Sequence, residues 1–153
     1  MSADPLYLIR HGQAEYPPSG MPDRDRALTD EGRADVDKQA KKLLAKGVTL
    51  HAIRHSPYKR AIETALIVHK TFPDAALVEM PELIPGGSAE SILMNIAEIE
   101  RPTLLVSHLP VIAEVASSLT GTAVTFYPGT CIGVYRKSET PFSAQLLWTE
   151  HPF

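Results

Sequence analysis

Cysteine is nearly missing from this chain: Cys131 is the one thiol in 153 residues. A single thiol excludes a disulfide framework and a Cys-based zinc site within one chain, and it reads as a buried, inert side chain. Net charge is also small. Fifteen Lys and Arg against eighteen Asp and Glu leave −3. That gives no basic field for nucleic acid or an anionic membrane, so any cationic site must be local. No hydrophobic run approaches the length that spans a bilayer. Residues 1–10 show neither a basic leading region nor a long apolar stretch, so they do not read as a secretory signal, and the expectation is a cytoplasmic protein. Internal repeats and low-complexity tracts are absent as well. What remains, 44% hydrophobic and 22% charged, is an ordinary globular composition. The length suits one domain, residues 1–153, with a real core.

Against that background two histidines stand out, each at the C-terminal end of an apolar run. His11 closes Leu6-Tyr7-Leu8-Ile9-Arg10-His11, and His108 closes Thr103-Leu104-Leu105-Val106-Ser107-His108. Unbroken apolar runs of this length read as buried parallel strands. Ligands of open α/β sheets bind just beyond the carboxyl ends of such strands, so the spacing brings both imidazoles to one crevice.

The remaining pattern alternates strands and helices. Three prolines and a glycine exclude regular structure from Tyr16-Pro17-Pro18-Ser19-Gly20-Met21-Pro22, which follows the first strand over the His11 end of the sheet. Thr29 reads as the N-cap of a first helix, with Asp30 and Glu31 on its positive end and Gly47 beyond its last turn. Val36, Ala40, Leu43 and Leu44 form its apolar spacing. A short strand is expected around Leu50–Arg54. Ser56 as N-cap and Pro57 at N1 open a second helix, whose apolar face is Ile62, Ala65, Leu66 and His69. Ala76–Met80 reads as a strand, Ser88 to about Ile99 as a helix. A fourth strand follows Arg101-Pro102, and a fourth helix lies between Pro110 and Gly121. Ile132–Tyr135 and Ala144–Trp148 close the order β-α-β-α-β-α-β-α-β-β. This predicts a three-layer α/β/α sandwich with a mainly parallel sheet, an antiparallel edge strand and no large lid insertion.

Neutral imidazole can attack phosphorus, and guanidinium can hold two phosphoryl oxygens at once. Arg10-His11-Gly12 offers both, with a glycine that lets backbone approach closely. Arg60 falls in the first turn of a helix that starts at a strand end, where free N–H groups also favour an anion. His108 precedes another helix start, whose positive end depresses its pKa until a bound dianion raises it again. His51 and His55 would lie roughly 13 Å apart on one strand face, too far to share a metal.

The motifs Leu8-Ile9-Arg10-His11-Gly12, Leu28-Thr29-Asp30-Glu31-Gly32, Ser56-Pro57-Tyr58-Lys59-Arg60-Ala61 with Thr64-Ala65, and Val106-Ser107-His108 resemble the histidine phosphatase superfamily, which also contains the cofactor-dependent phosphoglycerate mutases. Pro81-Glu82-Leu83-Ile84-Pro85-Gly86-Gly87 and Ser107-His108-Leu109-Pro110 resemble its short phosphohistidine phosphatases of SixA type. The resemblance implies that His11 is the nucleophile and that Arg10, Arg60 and His108 form the phosphate pocket, with no metal and no organic cofactor. By position it makes Glu82 the general acid, and a carboxylate bridging nearby loops is the alternative; Glu15 and Asp25 are weaker candidates. Arg26 resembles a basic position near this branch's active site and is a candidate substrate contact. The short interval from Glu82 to His108 leaves an open, shallow cleft, which suits a phosphoryl group displayed on another protein. The expected substrate is therefore a phosphohistidine-bearing protein. A small phosphomonoester or sugar phosphate is the alternative, and a non-catalytic phosphoryl-binding module comes after it.

Overall fold

The protein is described here by a computed structural model of residues 3–137 and 139–153. Met1 and Ser2, part of the amino-terminal stretch read above, lie outside the described residues. In chain order the elements are β1 (Ala3–Arg10), α1 (Asp30–Ala45), β2 (Ala52–His55), α2 (Lys59–Thr71), β3 (Ala76–Glu79), α3 (Ala89–Ile96), β4 (Thr103–Ser107), α4 (Val111–Thr120), β5 (Cys131–Lys137) and β6 (Ala144–Glu150). Short 3-10 turns at Asp23–Asp25 and Pro81–Leu83 interrupt two of the loops. The expected order of strands and helices is the observed one.

The six strands form one sheet in the order β3-β2-β4-β1-β5-β6. β3, β2, β4 and β1 run parallel, while β5 pairs antiparallel with β1 and β6 antiparallel with β5. The antiparallel edge is thus two strands wide. All five residues of β4 are buried, as a strand covered on both faces must be. One core joins Leu6, Leu8 and Leu105 to Ile92 and Ile96 of α3 and Val115 of α4. The other joins Tyr7, Ile9 and Val106 to Val36 and Leu43 of α1 and Ala61 and Val68 of α2. Helices α1 and α2 therefore cover one face, α3 and α4 the other. Cys131 sits in the second core; burial pushes its thiol up, the Glu150 charge adds to this, and the thiol stays protonated.

Thr29 caps α1 as expected, its Oγ1 accepting from the Gly32 N–H at 2.9 Å. Ser88 caps α3 in the same way, accepting from Ser91 N–H at 3.2 Å. Three details of these helices differ from the sequence reading. Leu44 of α1 is 53% exposed rather than part of its apolar stripe. Helix α2 begins at Lys59, with Tyr58 in the cap position and no side-chain cap, so Ser56 and Pro57 lie in the turn before it. Its buried face is Ala61, Thr64, Ala65 and Val68, while Leu66 is 47% exposed and Ile62 and His69 are only half-buried. Small residues let α2 lie close to the sheet, and the Thr64 hydroxyl is satisfied by the Arg60 carbonyl at 2.8 Å. The true face is rotated by one residue, roughly 100°, from the one that bulk apolar residues suggested.

Candidate active site

The chain leaves β1 for α1 on one face of the sheet and leaves β4 for α4 on the other. Because β1 and β4 are neighbours, the connections part between their carboxyl ends and open a crevice there. Arg10 pairs in register with Ser107, and the ladder runs one step further, with His11 N–H donating to Ser107 C=O at 3.0 Å. On the other flank Ser56 N–H donates to Val106 C=O at 3.1 Å. Three adjacent strands, β2, β4 and β1, thus deliver Ser56, His108 and His11 side by side. A cavity of about 410 Å³ lies over them. Arg10, His11, Arg26, Arg60 and His108 line it, with Tyr16, Leu109 and Pro128 supplying apolar surface.

His11 is buried, and its Nδ1–H donates to the carbonyl of Gly12 at 2.7 Å. The proton is thereby held on Nδ1, which leaves a lone pair on Nε2. That lone pair faces the Arg60 Nε–H at 3.3 Å. Burial, and then the charges of Arg60, Arg10 and Arg26, push the His11 pKa down to about 3, against the bond to Gly12, which raises it. The ring is neutral at any physiological pH. Its loop is packed tightly: Gly12 N–H donates to Thr64 Oγ1 at 3.1 Å, and a Cβ on Gly12 would stand 2.7 Å from Val36 Cγ2.

Arg10 is anchored by the turn before β5. Its Nη1 donates to Phe126 C=O at 3.0 Å, and Gly129 N–H is shared between the carbonyls of Arg10 and His11 at 3.1 and 3.0 Å. Gln39 of α1, fully buried, holds that turn in place by donating to Gly129 C=O and Glu150 C=O, both at 2.8 Å. Arg60 is buried as well, and its two outer nitrogens are held by Asp23: Nη1 to the carbonyl at 2.9 Å, Nη2 to Oδ2 at 3.1 Å. Desolvation raises the Asp23 carboxyl, but hydrogen bonds from Arg26 and Arg60 outweigh it and keep the carboxyl below its ordinary range. Arg26 reaches Asp23 Oδ1 at 3.2 Å and the Glu15 carbonyl at 2.6 Å.

His108 is buried with its ring centroid 5.0 Å from that of His11. Its Nε2 lies 2.8 Å from Ser56 Oγ. Burial, and then the neighbouring His11 and Arg60, push its pKa down to about 2, with Asp23 acting in the opposite sense. Without a bound anion it is a neutral ring.

Of the residues singled out in the sequence, Arg10, His11, Arg26, Arg60 and His108 meet in this cavity. Glu82 does not line it; it is half-buried on the 3-10 turn Pro81–Leu83, which is tied to β4 by Ser107 Oγ donating to Leu83 C=O at 2.8 Å. Glu15 and Asp25 are exposed. Asp23, Thr64 and Ser56 were not read as site residues. Each acts through a hydrogen bond across more than thirty residues of sequence, and no local spacing signals such a bond. Among the described residues no group of three His, Cys, Asp or Glu side chains is placed to hold a metal ion. The arrangement is a neutral nucleophilic imidazole flanked by three guanidinium groups, equipment for taking a phosphoryl group from an anion.

The sequence profile of the histidine phosphatase superfamily (branch 1) matches residues 6–84. A phosphohistidine phosphatase SixA homolog of Haemophilus influenzae is 31% identical over 158 residues, covering 94% of this chain and 87% of the relative. A mitochondrial serine/threonine-protein phosphatase of Mus musculus is 34% identical over 85 residues, 56% of this chain and 29% of that protein. The solved structure of the protein histidine phosphatase SixA complexed with tungstate superposes with a TM-score of 0.88 at 22% identity, covering 97% of each chain.

Proposed function

This chain belongs to the histidine phosphatase superfamily, and from that premise we propose that it is a protein phosphohistidine phosphatase working through a phosphorylated His11. It is a phosphatase, and its substrate is a phosphorylated protein or phosphoester. The observation that carries the finer reading is the state of His11: Nδ1–H committed to Gly12, and a neutral Nε2 lone pair beside Arg60.

In the first half-reaction Nε2 forms a bond to phosphorus as the bond to the leaving group breaks. The leaving atom takes the electron pair and a proton. Arg10 and Arg60 stabilise the charge on the equatorial oxygens, and His108 donates to one of them. Water then attacks phospho-His11, releasing inorganic phosphate and restoring the imidazole. The guanidinium groups supply the positive charge, so the reading calls for no metal and no organic cofactor. Glu82 is the proposed general acid for leaving groups that need one, and Arg26 is a proposed substrate contact at the rim.

The substrate assignment rests on the chain between β3 and β4, which holds a 3-10 turn and the eight residues of α3 and leaves the cleft uncovered for a phosphoryl group on another protein. A phosphohistidine imidazole is also a good leaving group once protonated. A small phosphomonoester or sugar phosphate is the second reading, favoured by a cavity of about 410 Å³, within the range of small-ligand sites. We take residues 1–153 as one domain, since β1 and β6 from opposite ends of the chain share one sheet. No helix among the described residues is long and apolar enough to cross a membrane, and a free buried thiol suits the reducing cytoplasm where we place the protein.

The test is to incubate the protein with a phosphohistidine-bearing protein and, separately, with a panel of small phosphomonoesters, then quench and map the covalent label. Acid-labile, alkali-stable phosphate on His11, with fastest turnover of the phosphohistidine protein, is expected. Label on His108 would overturn the nucleophile assignment. Faster turnover of a small ester would select the second reading, and absence of label and turnover would leave a binding module.

A further inference from the structure

His108 is neutral in the free site, so its single ring proton must sit on one nitrogen or the other. The two forms present opposite faces to a phosphoryl group: an N–H donates to it, a lone pair repels it. His11 has its proton placed by the Gly12 carbonyl. The atom that places the proton of His108 is Ser56 Oγ.

Ser56 is fully buried, and its Oγ lies 2.8 Å from His108 Nε2. Oγ also accepts the Tyr58 N–H at 3.1 Å. A hydroxyl has one proton to donate and two lone pairs. If the hydroxyl donates to Nε2, every group is satisfied: one lone pair takes the Tyr58 N–H, the proton goes to Nε2, and the ring proton sits on Nδ1. If Nε2–H donated instead, the Ser56 hydroxyl would accept twice. Its own proton would then have no other acceptor among the described residues, a buried donor left unpaired, which is unfavourable. The remaining ring atom, His108 Nδ1, is buried without a partner among the described residues, in a residue that lines the cavity. It is the one nitrogen of this histidine that the described residues leave unpaired.

We infer that Ser56 is a positioning residue: its hydroxyl donates to His108 Nε2 and so fixes His108 as the Nδ1–H tautomer, a hydrogen-bond donor to the phosphoryl oxygens. Ser56 touches neither substrate nor phosphate and acts through His108. The two histidines then share one tautomer and play opposite parts. His11 turns the lone pair of its Nε2 to the phosphorus; His108 has that lone pair capped and offers its Nδ1–H. The order of strands makes this possible, since β2, β4 and β1 set Ser56, His108 and His11 in a row. The role in turnover rests on the phosphatase reading above, whereas the tautomer itself does not.

Long-range 1H–15N correlation spectra of the 15N-labelled protein distinguish the two tautomers without turnover, with His108 assigned through His108→Gln. In the wild type, His108 should show a protonated Nδ1 and an unprotonated Nε2. Ser56→Ala should lose that pattern, and kcat for p-nitrophenyl phosphate should fall by roughly tenfold to a hundredfold with little change in KM, the scale of a weakened transition-state donor. Ser56→Thr, which keeps the hydroxyl, should restore both. A wild-type spectrum with the proton on Nε2 overturns the inference whether or not any variant folds. An unchanged tautomer or unchanged kcat in folded Ser56→Ala overturns it too. Failure of the phosphatase reading would appear differently, as a protein with the Nδ1–H tautomer in place and no turnover of any phosphate.

Discussion

The proposed acid is the residue whose part depends most on the substrate. Glu82 lies on the Pro81–Leu83 turn and does not line the cavity; as a proton donor, its contribution should follow the leaving group. Glu82→Gln keeps the shape and removes a proton donor. Alkyl phosphate esters, whose alkoxides need protonation in the transition state, should slow by about 10²–10⁴-fold. Nitrophenyl phosphate and phosphohistidine should be largely spared. Rates for all three substrates over a pH series, after a circular dichroism check of folding, settle the matter. An equal loss on each would make Glu82 a structural or binding residue. His11 and His108 were legible in the sequence because strand ends advertise themselves through the apolar runs before them, and Arg10 and Arg60 because they sit next to such ends. Asp23 and Ser56 were not. An acceptor for an arginine 37 residues away, or a hydroxyl facing a histidine 52 residues away, leaves no trace in spacing.

Helix α1 was the most legible element, with its cap, its charged first turn and its terminal glycine all in place. Helix α2 was misread because two alanines and a threonine make up most of its buried face beside Val68, and such small residues give a weak apolar signal. What periodicity could not show is how closely α1 approaches the loop that follows His11. A Cβ on Gly32 would overlap the Gln13 carbonyl oxygen, two residues beyond His11. Gly32→Ala must therefore push the start of α1 away from that loop. Overpacking of this kind should cost roughly 1–3 kcal/mol, read as a lower urea midpoint. Activity should fall as well, since the same loop carries His11. A variant of wild-type stability and rate would mean that the loop yields freely.

For the molecule as a whole, the two buried histidines couple stability to pH. Their folded-state values of about 3 for His11 and about 2 for His108 lie below the roughly 6.5 of an unfolded histidine. Between those limits the unfolded chain binds protons that the folded one refuses, so stability rises with pH there. Their contribution is fully present above about pH 6.5 and is lost as pH falls toward 3. Urea midpoints at pH 8 and pH 4.5 should differ accordingly, and His108→Gln should narrow the gap; an unchanged gap would place the acid sensitivity elsewhere. The parallel pairing of β1 with β4 has a different consequence. Neighbouring strands repeat at about 4.7–4.9 Å, and the two imidazole centroids are 5.0 Å apart. The separation of the two imidazoles is thus inherited from the spacing common to all β-sheets, while the rim of the cavity includes irregular chain from residues 13–27. Sheet spacing and rim thus belong to different parts of the chain, joined at Asp23, which lies in the rim segment and holds Arg60. Mutation or design that keeps Asp23 can rebuild the rim for another phosphorylated surface without having to re-space the two imidazoles beneath it.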